Sequence, residues 1–375
     1  MKIGVDAREI QNGVITGIGR SLANFIKYFE RCDSNNTLVL FSEKRIDLDS
    51  KDKIENVVLK SKLGVFFWDQ WILPRGIKAN GIRLFYSPYY KVPLLTSIPV
   101  VNQILDLMFL AFPKYRQSLG CGPRFYYELF GKAFARKSVS TITDSNHAKR
   151  DIIRLWNINA NKIRVIPLGL SNRYKQVKDA NILEKVKRKF TLPDKYILYL
   201  GNFKPHKNVK SLVYAFKKIE QKYSNYQLVL AGPLDEYGCA TQKLVADLNL
   251  SQRVLFTNTV REEDYPEALL SMAEMFVFPT LYEGFGLPPL EAMACGTPVV
   301  ASNLTSVPEV VGNAGLLINP SHADEISQAI SDFIENPAKR KTYSDYGLKR
   351  ASQFREKDTT AKLYHHIISI AEKIQ

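Results

Sequence analysis

Cysteine is scarce. The 375-residue chain has four, Cys32, Cys121, Cys239 and Cys295, scattered and without a CxxC pair, so free thiols in a reducing cytosol are expected. Long apolar runs are missing too. The most apolar long stretch, residues 92–113, is broken by Pro99, Asn102, Gln103 and Asp106, which excludes a membrane span. The opening MKIGVDARE has no apolar signal region. No internal repeat, low-complexity segment or nucleic-acid module is recognisable, so nucleic acid ranks last among partners. Acidic residues are the other shortage: 37 Asp and Glu face 52 Lys and Arg, a net charge of +15. The deficit is uneven. Residues 1–170 hold 26 basic against 14 acidic side chains, and residues 171–375 hold 26 against 23. A basic first half points to an anionic partner such as a membrane surface or an acidic lipid carrier, although a well-solvated surface fits the same numbers. The length suggests two or three domains with ample core.

What is present centres on FVFPTLYEGFGLPPLEAMACGTPVVAS, Phe276 to Ser302. FVFP and PVVAS have the short apolar pattern of buried strands. Between them lie a glycine-rich turn and a helix, whose start is marked by Pro288 and Pro289 and whose end is marked by Cys295-Gly296. In such strand–loop–helix–strand units the loop lies at the carboxyl edge of the sheet, where ligands bind. Gly284 and Gly286 let the backbone approach a ligand, and the free N–H groups of the helix favour an anion. Glu283 precedes the loop, and Glu291 is placed inside the helix's first turn. Carboxylates accept hydrogen bonds from hydroxyls, so phosphate donors beside hydroxyl acceptors describe a nucleotide sugar. On the residues alone, Glu291 is equally explained as an acid complementing the positive helix end, and Glu283 as an ordinary loop residue.

This stretch resembles the signature of the retaining glycosyltransferases of family 4, whose two glutamates are separated by seven residues, here GFGLPPL. The resemblance implies the α/β GT-B fold: two Rossmann-like domains with parallel sheets facing a central cleft. It implies that Glu283 contacts hydroxyls of the transferred sugar and that Glu291 holds the nucleotide ribose. A pyrophosphate-binding lysine is implied at Lys207, in NFKPHKN just before the helix NVKSLVYAFKKIEQKY, where Asn208 is a suitable N-cap. Many relatives carry arginine one position before this lysine; His206 stands there. Gly201, Asn202, His206, Gly284, Phe285, Gly286 and Leu287 complete the implied donor set, with Lys207 and Glu283 as the catalytic pair. The segment DAR…TGIGR resembles the family's amino-terminal glycine loop, which places Gly17 near donor phosphate and acceptor. A dinucleotide fingerprint fails there, because about ten residues separate strand from glycines and the third glycine is absent.

One departure bears on the sugar. The segment PVVNQILDL resembles the family strand ending in His-Asp-Leu, with Leu105 at the histidine's place and Asp106 after it. In relatives that histidine lies beside the sugar's sixth carbon. Leucine suits a methyl group there, so a 6-deoxyhexose joins GDP-mannose as a donor candidate; a slight shift of the strand, with another group contacting the 6-hydroxyl, fits the same residue equally well. A second departure is Asn258, where the family usually has glycine after the RVLF strand. Glu309 also matches a family position and is read as structural. The nearest resemblance is to mannosyltransferase-like enzymes of bacterial surface-polysaccharide and lipopolysaccharide assembly.

Along the chain, short apolar runs alternate with helical or polar segments, the rhythm of a mostly parallel sheet. The expected division is an acceptor domain at 1–170, a donor domain at 171–355 and a helix at 356–375 crossing back to the first domain. Phe66, Phe67, Trp68 and Trp71 are expected in the core, with a membrane-touching patch as the other reading. The spacing of Phe125, Leu129 and Phe134 in RFYYELFGKAFARK is explained by packing, and Ser145 by helix capping. Asp47-Leu48-Asp49 has the DxD pattern of metal-dependent transferases of another fold, but it lies in the charged SEKRIDLDSKDK and reads as a solvated turn.

The expectation is a metal-independent, cofactor-free retaining transferase moving a hexose or 6-deoxyhexose from a nucleoside diphosphate to a glycan or lipid-linked acceptor. It would be cytoplasmic, at most peripheral to the inner face of a membrane. A non-catalytic sugar or lipid-carrier binder, or a GT-B epimerase or phosphorylase, is the alternative. A phosphorylase would need a pyridoxal-phosphate lysine motif, which is missing.

Overall fold

The computed structural model describes every residue except 12–13, 16, 33–34, 47–52, 113–120 and 375, and for 11, 14, 15 and 121–125 the backbone alone. Two compact units emerge. Among the described residues, one contains 1–111, 121–169 and 357–374; the other contains Phe112 and Leu170–Glu356.

The first unit is built on seven parallel strands: β1 (Lys2–Asp6), β2 (Thr37–Ser42), β3 (Ile54–Val58), β4 (Leu84–Ser87), β5 (Val100–Gln103), β6 (Ser140–Thr143) and β7 (Ile163–Val165). Their order is β3-β2-β1-β4-β5-β6-β7. Strand side chains alternate between two cores. Leu38 and Leu40 pack with Ile3, Val5 and the Leu22–Phe25–Ile26–Phe29 stripe of α1 (Gly17–Arg31). Val39 and Phe41 face the opposite way, towards Trp68, Ile77, Phe85 and Phe134. Phe134 belongs to α2 (Cys121–Lys137). Parallel strands buried on both faces read as unbroken apolar runs, as TLVLF at 37–41 and LFYS at 84–87 do.

The second unit has six parallel strands: β8 (Tyr196–Leu200), β9 (Gln227–Ala231), β10 (Val254–Phe256), β11 (Met275–Phe278), β12 (Val299–Ser302) and β13 (Leu316–Ile318). They are ordered β10-β9-β8-β11-β12-β13. The strand order reverses at β8, whose neighbours are β9 on one side and β11 on the other. Helix α3 (Val209–Ile219) follows β8, and α4 (Leu287–Ala294) follows β11. The final helix, α5 (Glu356–Glu372), buries Leu363, Tyr364 and Ile367 in the first unit's core, with Tyr364 ring-to-ring against Tyr28 and Phe29.

Several local expectations are corrected. Of the four aromatics in 66–71, only Trp68 is core, with no exposed area and its Nε1 donating to the Leu59 carbonyl at 2.7 Å. Phe66 and Trp71 are 41% and 38% exposed, and Phe67 is half-buried and stacked on Trp71. The cause is a π-helical turn over Trp68–Ile72, whose wider winding rotates the flanking rings off the inward face. Leu129 is also exposed, so packing accounts for Phe134 but not for it. The side chain of Phe125 and the whole of Asp47-Leu48-Asp49 lie outside the described residues. Ser145 does cap its helix, accepting from the Ala148 N–H at 3.0 Å. Among the described residues, no helix is long and apolar enough to cross a membrane.

Candidate active site

In open parallel sheets the ligand crevice forms at the carboxyl ends of the strands where the order reverses. In the second unit that point lies between β8 and β11. The loops leaving those strands carry Gly201–Lys207 and Pro279–Gly286.

After β8, Gly201 takes φ = 153° and donates its N–H to the Ala231 carbonyl. The chain is pinned here. The buried Tyr199 hydroxyl donates to the Asn202 carbonyl at 2.5 Å, and the Asn202 Oδ1 accepts from the Lys204 N–H. A 3₁₀ turn, Pro205–Lys207, then brings Lys207 to the edge. Asn208 begins α3 in the left-handed conformation and without the side-chain cap expected of it. Its amide nitrogen instead donates to the carbonyls of Pro279 and Pro320, and its Oδ1 accepts from Ser211 Oγ. The residue therefore holds the β8 loop against the β11 loop.

From β11, Thr280 is fully buried, with Oγ1 2.9 Å from the His206 carbonyl and 2.9 Å from Glu283 Oε1. The Leu281 N–H also donates to the His206 carbonyl, at 2.7 Å. Glu283 meets Lys207 across the loops: Nζ donates to Oε1 at 2.6 Å, and both side chains are about one-eighth exposed. The Lys207 ammonium also lies 5.1 Å from the centre of the Phe278 ring. The turn beyond is held by hydroxyls. Thr305 accepts from the Glu283 N–H, and Ser306 Oγ is within 2.9 Å of the carbonyls of Glu283 and Phe285.

Gly286 stands before α4 at φ = 105°, a conformation open to glycine and strained for other residues. Pro288 and Pro289 occupy the first turn as expected. Because the helix begins at Leu287, Glu291 falls in its second turn rather than its first. It is half-buried, and the simple helix-dipole explanation weakens accordingly. The Phe285 side chain is buried edge-on against Phe354.

His206 is buried rather than presented at the edge. It is 4% exposed, and burial, reinforced by Lys207 and Lys204, drives its imidazole down to about 3. The ring is neutral at pH 7 and adds no charge to the edge. Asn258 follows β10 with φ = 60°, a left-handed position where asparagine is among the better substitutes for glycine. Glu309 lends its carbonyl to Arg350 at 2.6 Å.

The remaining expected residues belong to the first unit. Gly17 is the exposed first residue of α1, with open space where a Cβ would stand. Leu105 and Asp106 lie just past β5, both half-buried. The Leu105 carbonyl lies 3.5 Å from Thr143 Oγ1, and Asp106 Oδ1 accepts from the Met108 N–H. Sequence reasoning missed Tyr199, Thr280, Thr305 and Ser306. Their only signal was a hydroxyl near a motif glutamate or glycine, which is too common to single out.

A cation paired with one carboxylate lies next to a glycine-capped helix start at a strand-order reversal, a setting suited to a phosphate beside hydroxyls. Comparison with known families agrees. Residues 182–350 match the family described as glycosyl transferases group 1.

Among curated relatives, O-antigen chain mannosyltransferase B of Escherichia coli is 35% identical over 222 residues, 59% of this chain and 58% of that protein. O-antigen chain mannosyltransferase RfbU of Salmonella typhimurium is 26% identical over 298 residues, 78% of each chain. The chain thus spans less than two-thirds of the first of these relatives, and it spans 32% of the serotype-specific mannosyltransferase WbdA of Escherichia coli. Among solved structures, sucrose-phosphate synthase from Thermosynechococcus elongatus aligns with a TM-score of 0.75 at 22% identity, covering 98% of this chain and 99% of that one. Anabaena HepE in complex with UDP and glucose aligns at 0.74 and 20% identity, covering 98% and 100%. At such identities the likeness establishes the fold, which is GT-B as the sequence implied.

Proposed function

We propose that the chain is a retaining, metal-independent hexosyltransferase that moves a hexose or 6-deoxyhexose from a nucleoside diphosphate to a glycan or lipid-linked acceptor. The observation that carries this reading is the Lys207–Glu283 pair, held at the reversal point by Thr280. An incoming pyrophosphate takes over the Lys207 ammonium from Glu283, and the freed carboxylate accepts from sugar hydroxyls. Backbone N–H groups at Gly286 and Leu287 face the same anion. Glu291 holds the ribose, and Gly201 and Asn202 line the donor loop. As the glycosidic bond to the diphosphate breaks, negative charge grows on the leaving phosphate, where Lys207 and the helix start stabilise it. That phosphate then takes the proton of the acceptor hydroxyl while the acceptor oxygen bonds to the anomeric carbon from the face the phosphate left, which retains the configuration.

The relatives named as mannosyltransferases favour mannose or a close relative as the sugar, while Leu105 favours a donor with a methyl group at the sixth carbon. The test is transfer from GDP-mannose and from GDP-rhamnose in excess EDTA, by wild type and Leu105→His. Full activity in EDTA is expected, with the Leu105→His variant shifted towards GDP-mannose. Loss of transfer on chelation with recovery on Mg²⁺ would overturn the metal-free mechanism. A tenfold wild-type preference for GDP-mannose, unmoved in the variant, would remove the 6-deoxy donor. Absence of both transfer and slow hydrolysis would leave a binding protein.

A further inference from the structure

The carboxyl edge of the first sheet carries a separate arrangement that the donor site does not use. A cavity of about 460 Å³ opens there, lined by residues that include Arg8, Lys44, Arg45, Val65 and Lys91, with Glu9 and Glu43 as its acids. Arg8 is already engaged. Its guanidinium pairs with Asp6 and with Asp69, and it lies 3.7 Å from the centre of the Trp68 ring. Lys44, Arg45 and Lys91 form no ion pair among the described residues, and Lys44 and Arg45 are exposed.

Val65 ties this cavity to an apolar ledge. It lines the cavity and begins the helical segment that displays Phe66 and Trp71. The rings of Phe66, Phe67, Trp71, Tyr126 and Phe130 form one cluster, with neighbouring centroids 5.4 to 6.0 Å apart. Leu63 and Leu129 are 68% and 56% exposed. Contiguous exposed apolar area of this kind marks an interaction surface, whereas single exposed residues do not. The charges along the same segment have one sign. Lys60, Lys62, Arg75 and Lys78 are exposed, and the only acid in residues 59–79, Asp69, is buried.

We propose that this face docks on an anionic lipid bilayer, with the aromatic ledge at headgroup depth and Lys44, Arg45 and Lys91 receiving a lipid phosphate. Aromatic rings favour the membrane–water boundary, and lysines and arginines beside them are drawn to anionic headgroups. Charge decides between the possible occupants. A second copy would set one basic rim against another, whereas an anionic lipid surface complements both the rim and the cavity. The proposal extends the lipid-linked acceptor of the reading above, but its test involves no transfer reaction, so either can fail alone.

The experiment is sedimentation with phosphatidylcholine vesicles containing about one-third phosphatidylglycerol, against pure phosphatidylcholine, at low and high salt. Wild type should sediment with the anionic vesicles at low salt and be released by salt. The exposed-residue variant Phe66→Ser/Trp71→Ser and the cavity variant Lys44→Ala/Arg45→Ala should each weaken binding by about tenfold or more while melting like wild type. Brominated phosphatidylglycerol should quench wild-type fluorescence more than that of Trp71→Phe. Equal binding to neutral vesicles, or undiminished binding by the ledge variant, would overturn the proposal. So would a ledge variant that loses self-association but not vesicle binding, which would assign the face to a second copy. Release of wild type by inorganic phosphate, with no effect of the ledge substitutions, would assign the cavity to a soluble phosphate instead.

Discussion

Each parallel sheet ends in a cation held by carboxylates, yet the two edges are built for different ends. At the second sheet, one lysine meets one glutamate, and the pair keeps some contact with solvent. At the first sheet, one arginine serves two buried carboxylates, with the Tyr126 hydroxyl donating to Asp69 at 2.9 Å. Stoichiometry separates them. Lys207 can exchange its single anion for a phosphate without leaving the rest of the loop uncompensated. Arg8 cannot, because releasing either aspartate would strand a charge in the interior, where an unpaired carboxylate is costly. The Lys207–Glu283 pair suits the exchangeable ligand site proposed above; the Arg8 arrangement is a structural lock that braces the π-helical turn and its exposed rings.

Substitutions can break that contrast. Arg8→Ala should have the largest effect, lowering stability by about 3–5 kcal/mol, as expected when one partner of a buried ion pair is removed. Thermal melting measures it, and pH sharpens it. In the intact protein, burial pushes Asp6 up, but Arg8 and Lys91 together leave it below its ordinary 3.8. Its stabilisation is therefore present above that value and lost as pH falls through the lowered one. Asp69 is raised, because burial outweighs Arg8, so ionised Asp69 opposes folding and protonation relieves it. Without Arg8 both carboxyls shift upward, and mild acidification should restore part of the lost stability of the variant. A variant that melts like wild type and is indifferent to pH would show that the lock is superfluous.

Lys207→Ala should invert the pattern. Turnover should fall on the order of 10²–10³-fold, the usual cost of removing one electrostatic donor to a developing charge, while the melting temperature moves far less than for Arg8→Ala. Near-normal transfer would mean that another group holds the diphosphate.

Thr280→Val gives the smallest effect. It deletes the buried hydroxyl that contacts Glu283 and keeps the shape. A hydrogen bond to a charged group contributes about 1.5–3 kcal/mol, so kcat should drop by about tenfold or more with donor KM nearly unchanged. Thr280→Ser should restore it. A variant altered only in stability would reduce Thr280 to packing.

The sequence exposed the second edge far better than the first. Glu283 and Glu291 stand in a motif of fixed spacing, and the resemblance of that motif to a family signature singled them out where local chemistry left them ambiguous. Lys207 was implied by the same resemblance, at its place before a helix. Arg8 and Asp69 are separated by 61 positions, and no local rule joins them. The ledge was misjudged for a related reason: aromatic residues in a short helical stretch look like core unless a π turn, invisible in the pattern, rotates them outward. Whether His206 carries charge was not legible, because its neighbours decide its protonation, and those neighbours come from the fold. The strands themselves were legible because burial on both faces leaves them uniformly apolar.

The placement of α5 has a consequence for the order in which the protein is made. Residues 170–356 form a continuous stretch of chain, so that unit holds all of its own strands once it has left the ribosome. The first unit starts with β1 but takes Leu363, Tyr364 and Ile367 from α5 into its core. During vectorial synthesis the half that emerges first is thus completed last, and its apolar α1 face waits through some two hundred further residues. At typical synthesis rates of about 5–20 residues per second, that interval lasts on the order of ten seconds or more. A chain arrested before α5 would carry a finished donor unit beside an open core, which makes it a natural client for chaperones.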